Sequence, residues 1–353
     1  MKKRNHAFDL LCGICIVRMI SLHVMQYCGH ASDEWWREVM QWSYFFMSFF
    51  FFKAGYFNKS VTNLSSKEYI KDKAKRLLIP YLTAGAIGDV IYFGFYPALV
   101  YRFHEFPVKL SWSHIWEGSD FYGNPPVWFL FSFFCSYVAI HFLERLRHRL
   151  FANRFSPRTT YWSSIFYIAF PALSYWMFTL DNPLWMSVNN VFMGIYFFEL
   201  GRAWRRLLNI WSKNTTLMVS GVCCLIFVVG NIIWHDASYT MSSNTFSGNF
   251  LVTMINTTAI LCGLSGLLIA GNVPRLPWIC FIGEHSMVFF ISHHPMIFFY
   301  RYAHLAFGRS IYGRWDDVMI LLPALFMICA WLVPYIESVP ILSGRWKKVE
   351  VKA

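Results

Sequence analysis

Along the chain, apolar positions gather into stretches of about 20 residues, separated by short polar or basic segments. The stretches begin near Asp9, Gln41, Leu77, Val127, Tyr161, Val188, Leu217, Phe250, Trp278 and Val318. Runs of that length cross a bilayer as α-helices. A transmembrane barrel would instead show ten-residue strands alternating apolar and polar positions. The pattern predicts an all-α integral membrane protein, a single bundle of about ten transmembrane helices. The loops on the outer side are too short to fold independently, and no repeat or appended soluble domain is visible. Residues 1–353 read as one domain.

Composition supports lipid as the solvent. The 353 residues are 56% hydrophobic and 20% aromatic, with only 14% charged, where a soluble protein carries about 25% charged residues. The net charge of +12 does not point to nucleic acid. Most Lys and Arg lie on the loops sharing a side with the N-terminus, which by the positive-inside rule predicts both termini cytoplasmic. The nine Cys include Cys12 and Cys15 in a CxxC. That pair sits in an apolar helix with no strand-turn-helix context, and small apolar filler is the better reading. The start, MKKRNHAFDLLCGIC, resembles a signal peptide, yet Asp9 interrupts the apolar run and no small-residue cleavage site follows before His30. It is read as an uncleaved first span.

Ionisable residues change the picture most. Asp9, Arg18 and His23 fall in the first span, where each costs roughly 2.5–3.5 kcal/mol near the bilayer centre and marks a candidate site. Lys53 in the second span either snorkels to the headgroups or lines a site at the inner face. Lys67, Lys71, Lys73, Lys75 and Arg76 form the densest basic cluster, suited to phospholipid contact or to gripping phosphates from the cytoplasm. Asp89 lies in span three. The long outer segment near 101–126 is aromatic and polar, as sugar stacking or interface residence would require. Glu199 and Arg202 stand at i,i+3 spacing as a candidate ion pair. Span nine, CFIGEHSMVFFISHHPMIFF, carries Glu284, His285, His293 and His294, with Pro295 expected to kink the helix and free a carbonyl for pairing.

On an ideal helix, Asp9, Cys12 and His23 share a face within about 60°, whereas Arg18 points away from His23. A neutral imidazole in an apolar site is a competent general base toward a hydroxyl. The same groups would also serve a proton-coupled exporter of a glycan or lipid precursor, or act as buried hydrogen-bonded struts. No GxSxG elbow, HExxH, Walker loop or dinucleotide glycine pattern is present, and paired broken helices of a transporter repeat are not apparent. His285, His293 and His294 lack metal-site spacing, and no metal is expected.

Five segments in order, covering nearly the whole chain, resemble the acyltransferase 3 family of polytopic membrane acyltransferases. FDLLCGICIVRMISLH resembles its first-helix pattern, with Asp9, Gly13 and His23 in place. FFFFKAGYF resembles its aromatic run ending Ser-Gly-Tyr or similar, and KDKAKRLLIPY its paired basic residues, with Lys73 and Arg76 before Pro80. VWFLFSFF resembles its Trp-Phe-Leu motif at Trp128 to Leu130. FIGEHSMVFFISHHPM resembles its Gly-x-x-Ser…His-x-Pro signature.

The resemblance implies O-acyl transfer, with acetyl-CoA as the cytoplasmic donor and a cell-surface or lipid-linked carbohydrate as acceptor, in a bacterial inner membrane. His23 takes the position of the family's essential histidine. Glu284, Asp9 and Asp89 are candidate partner acids. Lys53, Lys73, Arg76 and Arg18 are candidates for the donor, and Trp128, His293 and His294 for the acceptor. One departure stands out: the family places Arg or Lys eleven positions before the histidine, and this chain has Cys12. Arg18 is about 9 Å further along and about 240° around the helix, so it does not simply replace that residue. Loss of catalysis is a further alternative that Cys12 keeps open.

Overall fold

The computed structural model describes residues 5–58, 65–103, 121–151, 166–180, 186–271 and 276–346. The chain is mainly helical: α1 (His6–Tyr27), α2 (Glu34–Trp42), α3 (Phe46–Phe57), α4 (Ser66–Lys73), α5 (Ile79–Phe103), α6 (Trp128–Phe151), α7 (Ala169–Thr179), α8 (Met186–Leu208), α9 (Lys213–Ile233), α10 (Phe250–Ala270), α11 (Pro277–Glu284), α12 (Ser286–Ala306), α13 (Trp315–Ser338) and the single turn α14 (Pro340–Ser343). Among the described residues, six helical stretches are long and apolar enough to cross a membrane: His6–Tyr27, Ser66–Gly94, Pro125–Arg147, Lys213–Ile233, Phe250–Ala270 and Trp315–Ser338. The start expected at Tyr161 lies outside the described residues.

Three features depart from ten uninterrupted spans. The second apolar run, expected from Gln41, is broken near its start. Its first two residues close α2, Ser43–Phe45 turn, with Ser43 N–H bonding back to Met40 O at 3.2 Å, and α3 begins at Phe46. The ninth is broken at His285, between α11 and α12. The chain is also not wholly helical. β1 (Ser238–Thr240) and β2 (Thr245–Ser247) pair antiparallel with Tyr239 opposite Phe246, and Asn244 turns the hairpin at φ 51°. The buried Tyr239 hydroxyl and Ser174 hydroxyl both donate to Asn244 Oδ1, at 3.1 and 2.7 Å.

The third span also starts earlier than hydropathy implied. Ser65 caps α4, its Oγ accepting from Glu68 N–H at 3.3 Å while the Glu68 carboxylate accepts from Ser65 N–H at 3.1 Å. This reciprocal box satisfies two donors of the first turn. A π-helical turn at Ala74–Leu78 then carries the helix into α5 without a break. Lys73, Lys75 and Arg76 therefore sit on or beside the π turn of the same rod that becomes the span.

The described chain groups into two compact units. The first comprises residues 1–19, 31–62 and 135–284. Its α3 and α8 lie backbone against backbone: a Cβ at Gly55 would overlap the Phe198 carbonyl, and one at Gly201 the Phe52 carbonyl. Glycine at both positions is what permits the approach, the device by which helices in lipid gain close packing. α9 packs along α10.

The second unit comprises residues 20–30, 63–134 and 285–353. In it α12 packs against α5 and α13. Phe298 and Tyr302 of α12 form a buried cluster with Tyr27, Tyr92 and Leu305. Near the start of α13 the fully buried Asp317 accepts from Tyr300 Oη at 2.8 Å, with Arg314 Nε at 3.2 Å and His304 Nε2 at 3.4 Å.

Candidate active site

The site is built on the fault in α12. Pro295 has no N–H, so the carbonyl four residues earlier, Ile291 O, loses its helical donor. Asn124 replaces it: its Nδ2 donates to Ile291 O at 2.9 Å and to Ala84 O of α5 at 3.3 Å. Asn124 is fully buried, and its Oδ1 accepts no hydrogen bond among the described residues. The preceding Gly123 lies on α5, where a Cβ would overlap the Gly88 carbonyl, and its N–H donates to Asp89 Oδ1 at 2.9 Å. Residues 123–124 thus strap α5 to α12 just beside its histidine pair.

The two histidines of that pair hold defined tautomers. A backbone carbonyl only accepts, so His293 Nδ1, 3.0 Å from Phe289 O, carries its proton there,. His294 Nδ1 likewise donates to Gly123 O at 3.4 Å. Each ring therefore presents Nε2 as a lone pair. His294 Nε2 lies 3.5 Å from Tyr27 Oη, and with no proton on the nitrogen the phenol is the donor. His293 Nε2 is buried and has no hydrogen-bond partner among the described residues.

His23 joins them from the last turns of α1. Its ring centroid is 5.3 Å from that of His293, tilted 31°, and 5.4 Å from that of His294, near perpendicular at 83°. His23 Nδ1 is 3.1 Å from Gln26 Oε1, an amide oxygen that accepts, which again leaves Nε2 as the basic atom,. His23 is half-buried, while His293 and His294 are almost fully enclosed. Three imidazoles, each with its proton at Nδ1, and a phenol so converge within the second unit. Such a group can accept a proton from a hydroxyl and return it to a leaving group.

The other residues singled out from the sequence are placed as follows. Trp128, buried, opens α6 four residues after Asn124 and packs edge-on to Phe129. Lys73 Nζ lies over the Tyr69 ring at 5.4 Å, and Arg76, exposed, pairs through Nε with Asp72 Oδ1 at 3.0 Å. Beside them Trp346 Nε1 donates to Lys75 O at 2.8 Å. Asp9, Arg18, Lys53 and Glu284 belong to the first unit. Asp9 is buried, and its carbonyl lies so close to Gly283 that a Cβ there would overlap it. Glu284 is the last residue of α11, beside this contact, and Lys53 lies half-buried in α3. Arg18 turns to the break in the second apolar run: Nε donates to Ser43 Oγ at 3.1 Å and the guanidinium lies 3.7 Å from the centre of the Phe46 ring.

Sequence reasoning missed Tyr27 and Asn124. Tyr27 stands one turn after His23 and shares its face, a spacing visible in the sequence. The signal for Asn124 was indirect: Pro295 inside a span requires some donor for Ile291 O, and NPP is a polar break next to an apolar run.

A family model described as an acyltransferase domain, Acyl_transf_3, matches residues 5–335, nearly the whole chain. No curated protein matches it significantly. The match takes in every residue of the histidine cluster and all six apolar helices except the last residues of α13. The chain belongs to the acyltransferase 3 family and is a membrane acyltransferase.

Proposed function

We propose that the protein transfers an acetyl group from cytoplasmic acetyl-CoA to a hydroxyl of a cell-surface or lipid-linked carbohydrate, with His23 as general base. The observation that supports this reading most is the packing of His23 against His293 and His294, every Nδ1 tied to an oxygen acceptor.

In the proposed reaction, His23 Nε2 takes the proton of the acceptor hydroxyl as its oxygen attacks the thioester carbonyl. The tetrahedral intermediate collapses, the carbon–sulfur bond breaks, and the same imidazolium returns the proton to the departing thiolate. Ester and free thiol are formed with no net proton change. The transfer is direct, or passes through an acetylated intermediate. His293, His294 and Trp128 hold the acceptor, and Lys53, Lys73, Arg76 and Arg18 serve the donor phosphates, since guanidinium and ammonium groups bind phosphate strongly. Gln26, accepting from His23 Nδ1, orients the base. Of the candidate acids, Asp9 stands fourteen residues or about 21 Å from His23 along α1, with Glu284 beside it, too far for that role, which leaves Asp89,. Fixing donor and acceptor together makes the step effectively unimolecular, which supplies much of the acceleration. The proposed setting is a bacterial inner membrane, with both termini cytoplasmic.

The test compares surface glycans by mass spectrometry from cells carrying the wild-type protein or His23→Ala. Loss of O-acetyl groups in the variant is expected; equal acetylation removes the reading.

A further inference from the structure

A polar cavity lies in the first unit, remote in sequence from the histidines. It has a volume of about 310 Å³ and sits where the C-terminal portions of α3, α6 and α8 end. Its wall carries four arginines, Arg147, Arg202, Arg205 and Arg206, with the amide side chains of Asn58 and Asn209. Among the described residues of the lining Glu144 is the one carboxylate, and Glu199 pairs with Arg202.

Arg202 and Arg205 are held in the cavity wall by internal pairings. Arg202 Nη1 is held between Glu199, at 2.7 Å, and Glu144. Its Nη2, on the same buried guanidinium, makes no hydrogen bond among the described residues. Arg205 Nη1 donates to Tyr56 O at 3.2 Å and so caps the end of α3. Four guanidinium groups so share the wall of one cavity. Arg202 and Arg206 stand at i,i+4 on the same helix, a like-charge spacing that costs stability unless an anion intervenes. The carbonyl ends of three helices draw cations to this place, and Arg205 already answers those of α3,.

We propose that this cavity is a binding site for a phosphate group. Planar guanidinium groups pair with phosphate oxygens through two parallel hydrogen bonds, and amide side chains add neutral donors. A buried guanidinium nitrogen without a partner is the atom such a ligand would satisfy. The phosphate comes from a soluble phosphate ester or diphosphate, or from an anionic phospholipid headgroup. The site does not rest on the acyl-transfer reading.

The experiment uses the full-length protein in nanodiscs of zwitterionic lipid. Inorganic pyrophosphate is titrated by calorimetry, and added phosphatidylglycerol is followed as adducts by native mass spectrometry. The wild type is compared with R147Q/R206Q, which keeps the Arg202 pairings with both glutamates. At least one probe is expected to bind the wild type and to bind the double variant about tenfold more weakly. Pyrophosphate sensitivity alone assigns a soluble phosphate, and lipid sensitivity alone a headgroup; either outcome upholds the site. Failure of both probes to bind the wild type, or equal binding to both proteins, overturns it. Should the melting temperature of the glutamine variant fall, R147K/R206K is measured instead; it keeps the charge but not the fork, and reduced affinity is again expected. No acyl transfer is read, so a negative result leaves the role of His23 untouched.

Discussion

Asn124 and Ile291, 167 positions apart, meet at a hydrogen bond of 2.9 Å that stands in for the one Pro295 cannot make. A side chain from the segment before α6 thereby completes the backbone of α12 next to His293 and His294. Removing it leaves a buried carbonyl without a donor, at a cost of about 1–3 kcal/mol. Asn124→Ala is expected to lower the melting temperature and acyl transfer together. Asn124→Asp, which offers an acceptor where a donor is needed, is expected to be at least as damaging. Pro295→Ala restores the missing N–H, so Asn124→Ala/Pro295→Ala should lose less stability than the two single changes added. A strictly additive cycle would show that the amide does not serve that carbonyl.

Within the histidine group, the substitutions should separate by role. His23→Ala is expected to reduce acyl transfer by roughly 10²–10⁴-fold, the usual contribution of a general base. Tyr27→Phe removes only the donor to His294 Nε2 and should cost about tenfold or less at unchanged melting temperature. If Tyr27→Phe matched His23→Ala in turnover, the phenol would be the better candidate for the proton-transfer group.

Donor affinity tests the basic residues. Arg76→Ala and Lys53→Ala are each expected to weaken acyl-donor binding by about tenfold, the loss of one charge-assisted hydrogen bond. Unchanged affinity in both would remove them from the donor site.

Asp317 supplies a test of the fold alone. It is fully buried, with Arg314 Nε at 3.2 Å and the Tyr300 hydroxyl at 2.8 Å. Asp317→Ala leaves the Tyr300 hydroxyl without its acceptor, while the exposed Arg314 keeps Asp316, and is expected to destabilise by about 1–3 kcal/mol,. Asp317→Asn keeps one acceptor for Tyr300 and should lose less. Thermal unfolding in detergent distinguishes the two.

Local pattern made parts of this site legible. Ionisable groups in apolar runs marked His23, His293 and His294, and the structure gathers all three. Helical rotation separated Arg18 from His23, and Arg18 indeed faces Ser43 and Phe46. Pro295 announced a freed carbonyl. What escaped was long-range: nothing near Pro295 names Asn124 as the donor, because that choice belongs to the packing of α5 on α12. The break at Ser43–Phe45 escaped because the flanking residues remain apolar while the backbone turns. Glu199 and Arg202 were visible as a pair, but Glu144, 55 positions earlier, was not, and with it went the cavity.

The tethered Nδ1 atoms carry a stereochemical consequence. A ring held by that proton cannot spin to offer its other nitrogen without giving up the tether. Each imidazole therefore has one working edge. If His23 both collects and delivers the proton, the incoming oxygen and the outgoing sulfur must present themselves to that one edge in turn, from the same direction. Donor and acceptor would then sit side by side across a shared Nε2, and an analogue bridging the two through a single tetrahedral centre should fit better than either substrate alone.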